Sequence, residues 1–424
     1  MLNYVWILFF LVGIVVALFK TLFVPGSEAV LSDMLTGLFG AAKTGFEISL
    51  GLTGVMTMWL GIMKVGEKAG VVSSLARAVA PLFRVLFKNV PPGHPAYGSI
   101  TMNLSANMLG LGNAATPLGL NAMKELQELN PEKERATDAQ IMFLVLNTAG
   151  ITLVPSSVIA IRAAMAAEQG LKGFNAADIF LPTLLATTIA FISGMIIVAI
   201  AQRINLFRLP VLLFLVFFGG IAWSIWAYVQ HLTASGLSSE QVGTRIGALG
   251  SGIILLLITL FIVAGVVKKQ KVFENFIEGA KGGFDVALRI IPYLIGMLLA
   301  ISVFRNSGCM DYIVNGIASL VTAMGLPTDW VPVIPIALMK PLSGSGAQAL
   351  MVDVMKTHGV DSFAGKLAAV LQGTTETTFY VLAVYFGSVG VTRSRNALAL
   401  GLIADAIGMI AAIVLMYLLS PPGV

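Results

Sequence analysis

Residues 42–50 read Ala-Lys-Thr-Gly-Phe-Glu-Ile-Ser-Leu, and residues 280–288 read Ala-Lys-Gly-Gly-Phe-Asp-Val-Ala-Leu. Five of the nine positions are identical and three more are conservative. The register continues beyond this match, because the same spacing of 25 residues separates two pairs of glycines, Gly45 and Gly70 in one copy and Gly283 and Gly308 in the other. Similarity of a chain to itself in this form indicates an internal duplication.

Two further matches follow in the same order along the chain. Residues 109–114 (Leu-Gly-Leu-Gly-Asn-Ala) resemble residues 342–347 (Leu-Ser-Gly-Ser-Gly-Ala), and residues 147–152 pair in character with residues 372–377. An ordered series of three matches is strong evidence for duplication. We therefore predict four segments: a first transmembrane helix with its connection (1–39), a first repeat (40–203), connecting transmembrane helices (204–277) and a second repeat (278–424).

The composition indicates that lipid is the main solvent of this chain. Of its 424 residues, 57% are hydrophobic and 11% are charged, and the mean hydropathy is +0.90. A soluble domain has roughly a quarter of its residues charged. Uncharged apolar runs predict an all-α polytopic membrane protein with nine spans, at about 3–23, 46–64, 139–163, 178–202, 209–230, 246–267, 284–304, 366–389 and 396–419. A single cysteine excludes a disulfide within the chain.

Two other apolar stretches, 98–123 and 330–353, are rich in Gly, Pro, Ser, Asn and Thr. We expect each to form a re-entrant hairpin that returns to the side of the membrane from which it came. Pro155 is expected to break the span that follows the first hairpin, and Gly373 to loosen the span that follows the second. Each repeat would then contain a re-entrant hairpin and a broken helix.

The distribution of basic residues favours opposite orientations for the two repeats. Residues 64–90 carry five basic residues and one acidic residue, whereas residues 303–330 carry one basic and two acidic residues. If the loops rich in Lys and Arg are cytoplasmic, the N-terminus is inside and the C-terminus is outside. We therefore expect two inverted repeats in a cytoplasmic (inner) membrane, with residues 2–19 retained as part of the first span.

Helix breaks at membrane depth offer free N–H and C=O groups, which suits a small polar solute and a cation. Glu376 is the most informative candidate, because an ionisable group inside a span costs at least about 2.5 kcal/mol to insert. Asp405 is also placed inside a span, and its role is left open. The predicted binding residues are Asn103, Asn107, Asn113, Thr116, Asn147, Thr148, Thr152, Ser343, Ser345, Gln348, Gln372, Thr374, Thr375 and Glu376.

The sequence resembles the nucleoside-recognition, or Gate, family, with the order of spore maturation proteins A and B joined in one chain. The resemblance is carried by the Gly-Phe-Glu/Asp segments at 45–47 and 283–285, and by residues 102–124, 147–155, 341–346 and 374–378. It implies a membrane fold with two Gate copies and distant kinship with concentrative nucleoside transporters. Where their first hairpin has Gln-Thr-Glu, this chain has Asn113-Ala114-Ala115, so the resemblance implies no acidic ribose ligand here.

These observations favour an ion-coupled secondary transporter of a small polar solute, with its site at the midplane between the two hairpins. A channel or a non-transporting envelope or spore-maturation factor is the alternative, and an enzyme acting on lipid-linked substrates is less well supported because no nucleophile and base are paired. We expect no catalytic residue, no metal site and no cofactor beyond a coupling Na⁺ or H⁺. The expected partners are membrane lipid, an unidentified polar substrate and further copies of the chain, without nucleic acid.

Overall fold

The computed structural model describes residues 2–422, apart from the side chains of residues 2, 112–114, 239–240 and 287. Within these residues the protein is helical and contains no β-strand. The helices are α1 (Leu2–Phe23), α2 (Val30–Lys68), α3 (Val71–Leu86), α4 (Ala96–Met108), α5 (Gly112–Glu128), α6 (Asp138–Thr148), α7 (Ser156–Glu168), α8 (Phe180–Ala201), α9 (Leu209–Ala234), α10 (Ser239–Val267), α11 (Val272–Asn306), α12 (Cys309–Ala323), α13 (Ile334–Met339), α14 (Gly344–His358), α15 (Phe363–Thr374), α16 (Thr378–Ser388) and α17 (Ala397–Leu419).

Seven of the described helices are long and apolar enough to cross a bilayer. They are α1, α2, α8, α9, α10, α11 and α17, and they correspond to seven of the nine predicted spans. The other two predicted spans are interrupted, because residues 149–155 separate α6 from α7 and residues 375–377 separate α15 from α16. The all-helical, multi-pass prediction is therefore confirmed, and the break at Pro155 lies where the sequence placed it.

The helices follow the same order in both halves of the chain. A long helix, an amphipathic helix, a helix–break–helix hairpin, an interrupted span and a long final helix make up α2–α8, and the same series makes up α11–α17. Gly70 and Gly308 begin the two amphipathic helices with φ of 81° and 84°. Glycine is favoured at both positions because this left-handed backbone is unfavourable for residues with a Cβ.

The chain forms two compact units, and each unit is assembled from three separate segments. Unit 1 contains Met1–Met58, Ser157–Ala176 and Lys281–Gln372. It holds the α13–α14 hairpin, most of α7 and most of α15. In this unit α1 packs on α12, and Ala17, Met34 and Val303 form a small apolar core.

Unit 2 contains Trp59–Ser156, Ala177–Ala280 and Gly373–Val424. It holds the α4–α5 hairpin, α6 and α16, so it combines a hairpin with one half of each interrupted span. Its centre is α8 packed along α17, with α6 against both helices. The side chains of α6 from Ala139 to Thr148 are all buried, which fixes the position of the helix end that opens into the 149–155 break.

Candidate functional site

The tip of the α4–α5 hairpin is a tight three-residue connection, residues 109–111. Gly110 has φ of 76°, and a Cβ at this position would lie 2.9 Å from the carbonyl oxygen of Val154. Only glycine combines this conformation with so close an approach. The backbone N–H of Leu153 donates to the carbonyl oxygen of Met108 at 2.7 Å. The hairpin tip of unit 2 is therefore fixed directly on the 149–155 break.

A side-chain hydrogen bond joins the same two elements one turn away from the tip. Asn107 Nδ2 on α4 donates to Asn147 Oδ1 on α6 at 2.6 Å, and Asn147 Nδ2 donates to the carbonyl oxygen of Phe143 at 2.9 Å. Asn147 is 2% exposed and Thr148 is fully buried. The last turn of α6 thus carries buried polar side chains beside helix carbonyls that have no partner within the helix.

The second interrupted span reaches the same helix end. The backbone N–H of Glu376, in the 375–377 break, donates to the carbonyl oxygen of Thr148 at 2.8 Å. The side chain of Glu376 is exposed, whereas Thr375 and Thr377 on either side are buried. Three helix breaks are therefore bonded to one another inside unit 2: the tip at 109–111, the break at 149–155 and the break at 375–377.

Tyr385 extends this polar cluster to α16, and no feature of the sequence analysis had identified it. Its hydroxyl donates to Asn147 Oδ1 at 3.3 Å and accepts from Asn103 Nδ2 at 3.3 Å, and Asn103 Nδ2 also donates to the carbonyl oxygen of Ala115 at 2.8 Å. We call the four side chains Asn103, Asn107, Asn147 and Tyr385 the amide–phenol network. A tyrosine placed mid-span was the available signal, because a buried hydroxyl requires a partner.

Asp405 has a defined partner behind the 375–377 break. The Thr378 hydroxyl donates to Asp405 Oδ2, and both residues are at most 1% exposed. Two glycines on α17 allow this break to pack closely. A Cβ at Gly401 would lie 3.1 Å from Cγ2 of Thr378. A Cβ at Gly408 would lie 3.1 and 3.2 Å from Cγ2 of Thr374 and Thr375. The role that the sequence left open for Asp405 thus includes holding the first turn of α16.

Unit 1 contains a second polar break of the same kind. Residues 340–343 separate α13 from α14, and the Ser343 hydroxyl caps α14 by accepting from the N–H of Gly346 at 3.0 Å. Lys340, which is 5% exposed, donates from Nζ to the carbonyl oxygen of Gln372 at 2.6 Å. Gln372 Nε2 donates to the carbonyl oxygen of Gly344 at 3.3 Å. A cation beside the last turn of α15 is favourable, because helix carbonyls point outward there.

The predicted site residues therefore divide between the units. In unit 2, Asn103, Asn107 and Asn147 join through their side chains, and Thr148 and Glu376 join through the backbone. The N–H of Thr152 donates to Thr187 Oγ1 at 3.3 Å, and Thr116 lies half-buried on α5.

In unit 1, Ser343 and Ser345 lie 3.3 Å apart, Oγ to Oγ, and Gln348 lies half-buried on α14. The side chain of Asn113 is outside the described residues.

Several buried acceptors near these breaks have no hydrogen-bond partner among the residues that the structure describes. They are Asn103 Oδ1 and Thr375 Oγ1 in unit 2, and Gln372 Oε1 in unit 1. A buried polar group that lacks a partner costs roughly 1–3 kcal/mol. Oxygen acceptors in this setting suit a ligand that brings N–H or O–H donors, or a cation that is coordinated by oxygen.

Comparison with known proteins places the chain in a family. The sequence profile described as Gate, nucleoside recognition, matches residues 49–166 and again residues 287–392. Spore maturation protein B of Bacillus subtilis (strain 168) is 44% identical over 171 residues, which cover 40% of this chain and 94% of that protein. Spore maturation protein A of the same organism is 39% identical over 197 residues, which cover 46% of this chain and 93% of that protein.

A solved structure, that of the YdaH transporter of Alcanivorax borkumensis, covers 97% of this chain and 96% of its own, with 16% identity and a TM-score of 0.42. At that score the similarity carries no argument for the fold or the function. The family assignment depends instead on the two profile matches, which together span more than half of the chain, and on the two spore maturation proteins. This protein is a multi-pass membrane protein that belongs to the nucleoside-recognition (Gate) family.

Proposed function

We propose that this protein is a secondary transporter that moves a small polar solute together with Na⁺ or H⁺. In this proposal the α4–α5 and α13–α14 hairpins are re-entrant, and the two repeats are inserted in opposite orientations. The midplane site draws on both hairpins and both interrupted spans, and rocking of one part against another gives alternating access.

One observation carries the proposal: three helix breaks converge inside unit 2 through the bonds from Leu153 to Met108, from Asn107 to Asn147 and from Glu376 to Thr148. Interrupted backbone at membrane depth is tolerated only where protein or a water-filled cavity satisfies it. The end of α6 presents carbonyl oxygens, which suit a cation, and the start of α16 presents N–H groups, which suit an anionic or polar group.

The family description suggests nucleosides as the first substrate class to test. A nucleoside carries hydroxyl and amino donors, which match unpartnered buried acceptors of unit 2 such as Asn103 Oδ1 and Thr375 Oγ1. Since Asn113-Ala114-Ala115 offers no acidic ribose ligand, the ribose would have to be held by neutral groups or by Glu376. Amino acids and carboxylates are the other classes that the same oxygens and helix N-termini can accept.

The test begins with a thermal-shift screen of the purified protein against nucleosides, amino acids and carboxylates, each with and without sodium. A solute that raises the melting temperature is then offered to proteoliposomes under a sodium or a proton gradient. We expect uptake that depends on one gradient and is reduced at least about tenfold by Glu376→Gln or Asn147→Ala. The matched controls are Glu132→Gln and Asn396→Ala, which change exposed residues elsewhere. Substrate uptake that is indifferent to both site variants would contradict the proposal.

The names of the two similar proteins favour a second candidate, a membrane factor for spore or envelope maturation that transports nothing. The two functions differ in what they require of the helix breaks. A transporter loses function when Glu376 or Asn147 is replaced, even if the protein folds and inserts. A structural factor tolerates both substitutions, and complementation of a strain that lacks the related proteins distinguishes the two.

The proposed topology places the protein in the bacterial cytoplasmic membrane, with the N-terminus inside and the C-terminus outside. Cysteines introduced singly at Lys133 and Lys172, after Cys309 is replaced by serine, can be treated in intact cells with a membrane-impermeant thiol reagent. The proposed spans place residue 172 outside and residue 133 inside, so only the cysteine at 172 should react, and reaction at 133 would contradict the proposed topology. We also propose that the protein forms a homo-oligomer. The measured mass of the detergent-solubilised particle tests this.

A further inference from the structure

A large apolar groove opens on the surface of unit 2. Its volume is about 730 Å³. The walls come from α3, α8, α9 and α10, with Leu75 and Ala78 on one side and Leu213 and Phe217 on another. Phe217 is 62% exposed and Leu213 is 59% exposed, so the groove is open to its surroundings rather than sealed inside the core.

The groove has the length of one bilayer leaflet. Its α9 wall runs from Leu209 to Ile221, and twelve residues of helix rise about 18 Å. Half of the hydrocarbon core of a bilayer is about 15 Å. The length of one extended acyl chain within a single leaflet therefore matches the length of the groove, whereas a small polar solute would find almost no partner along these walls.

Basic residues gather at the Leu209 end of the groove. Arg84 and Lys88 are exposed at the end of α3, and Arg203 and Arg208 are exposed in the connection to α9. Lys88 Nζ donates to the carbonyl oxygen of Gln202 at 2.9 Å, which ties the end of α3 to this connection. Residues 71–90 and 202–208 contain no Asp or Glu. Four positive side chains and no acidic one thus lie on the two segments that meet beside the Leu209 end of the groove.

Acidic groups on the neighbouring elements do not cancel this charge. The carbonyl oxygen of Asp138 accepts from Gln202 Nε2 at 2.8 Å, so α6 brings its first carboxylate near the same connection. That carboxylate is paired with Arg395, whose Nη1 lies 2.8 Å from Asp138 Oδ1. Lys88 uses two of its three N–H donors on backbone carbonyls, at 2.9 and 3.4 Å, and retains one.

We propose that this groove binds one anionic phospholipid of the surrounding bilayer. The phosphate headgroup lies among Arg84, Lys88, Arg203 and Arg208, and one acyl chain follows α9 inward. The groove is also lined by Met108 and Leu153, the residues whose backbones join the α4–α5 hairpin tip to the 149–155 break at 2.7 Å. The bound lipid therefore supports the hairpin tip from the membrane side.

The test compares phosphatidylglycerol with phosphatidylcholine of the same chain length, by native mass spectrometry of the purified protein. Near a membrane surface each basic residue is worth about fivefold in affinity for anionic lipid. The double variant Arg84→Gln/Arg208→Gln is thus expected to lose about thirtyfold in affinity for phosphatidylglycerol and to bind phosphatidylcholine unchanged. The control Lys172→Gln/Arg245→Gln removes two exposed charges elsewhere and should retain the preference.

A second variant tests the groove itself. Ala78→Trp fills part of the groove from an exposed position. If the indole excludes two methylene groups of the acyl chain, binding of both lipids should weaken about fifteenfold, since each methylene group is worth about fourfold. A photoreactive benzoylphenylalanine at Phe217 gives an independent readout if the tryptophan variant does not fold, and it should crosslink to an acyl chain. Equal binding of the two lipids by the unaltered protein, or crosslinking to a second copy of the chain instead of lipid, would overturn the proposal.

Discussion

Removing the hydrogen bond between Asn107 and Asn147 is the most direct test of whether the helix breaks of unit 2 are bonded to one another. Asn147→Ala removes the acceptor for Asn107 Nδ2 at 2.6 Å and for the Tyr385 hydroxyl at 3.3 Å. Hydrogen bonds between membrane helices are worth about 0.6 kcal/mol on average and about 1.7 kcal/mol at most. The short bond lies near the upper value and the long bond near the mean, so the expected loss of unfolding free energy is about 2 kcal/mol.

The loss can be assigned to the pair by a double-mutant cycle. Purified variants are unfolded in mixed micelles with a rising mole fraction of SDS, and the free energies of Asn147→Ala, Asn107→Ala and the double variant are compared. We expect a coupling energy of about 1–1.7 kcal/mol, because both single changes remove the same bond. Asn396→Ala, at an exposed helix start without a side-chain cap, should change stability by less than about 0.5 kcal/mol.

Additive effects would refute this reasoning. If the coupling energy of Asn107 and Asn147 were below about 0.3 kcal/mol, the two amides would not be bonded in the folded protein. The α4–α5 hairpin would then be held at the 149–155 break by the backbone alone. Tyr385→Phe is a further check. It removes the long bond to Asn147 and also the bond accepted from Asn103, but its coupling to Asn147→Ala reports the first bond alone and should be about 0.6 kcal/mol.

Three other substitutions test close helix packing, a buried hydrogen bond and an ion pair, and the same unfolding assay measures them. Gly408→Ala should cost about 1–3 kcal/mol, because its Cβ would lie 2.8 Å from an alanine Cβ on α8. Thr378→Val should cost about 1–3 kcal/mol, because it removes the hydroxyl that donates to the buried Asp405. Arg305→Met should cost about 3–5 kcal/mol, because it leaves Asp353, whose side chain is 13% exposed, without its ion-pair partner.

Each of these changes has a control within the chain. Gly219→Ala adds the same methyl group where nothing lies within 4 Å, and it should leave stability unchanged or raise it. Thr378→Ser retains the hydroxyl and should recover most of the loss seen for valine. Replacing both partners, Arg305→Met with Asp353→Leu, should cost much less than Arg305→Met alone, because no uncompensated charge remains. If Arg305→Met/Asp353→Leu were as unstable as Arg305→Met alone, the loss of stability would come from packing and not from an unpaired charge.

The two units repeat one arrangement with different chemistry. In unit 2 the hairpin meets the end of α6 through two amides, and in unit 1 the hairpin meets the end of α15 through Lys340 and the Gln372 carbonyl. Both pairs place a donor at the C-terminal end of a helix, where carbonyl oxygens lack partners. After duplication the arrangement has been retained in each unit while the donors have diverged.

The amino-acid sequence by itself determined the solvent, the helices and the breaks. A chain with 11% charged residues has to use lipid as its solvent, and in lipid only structures that satisfy their own backbone can span. Proline and glycine act locally, so the break at Pro155 and an interruption somewhere within 98–123 could be predicted from neighbouring residues alone. The duplication could also be recognised without a structure, because it follows from direct comparison of residues 42–50 with residues 280–288. The inverted orientation of the copies stays a prediction.

Only the tertiary structure decided which polar groups meet. Asn103 and Tyr385 are 282 residues apart, and Asp405 and Thr378 come from different helices, so no periodicity relates them. The same holds for the compact units, which each take one half of each interrupted span and so cut across the four predicted segments, whose boundaries stay predictions. Local sequence patterns report how a helix begins, ends or breaks. Contacts between helices depend on packing between segments remote in sequence, and the positions of the buried hydrogen bonds follow from that packing.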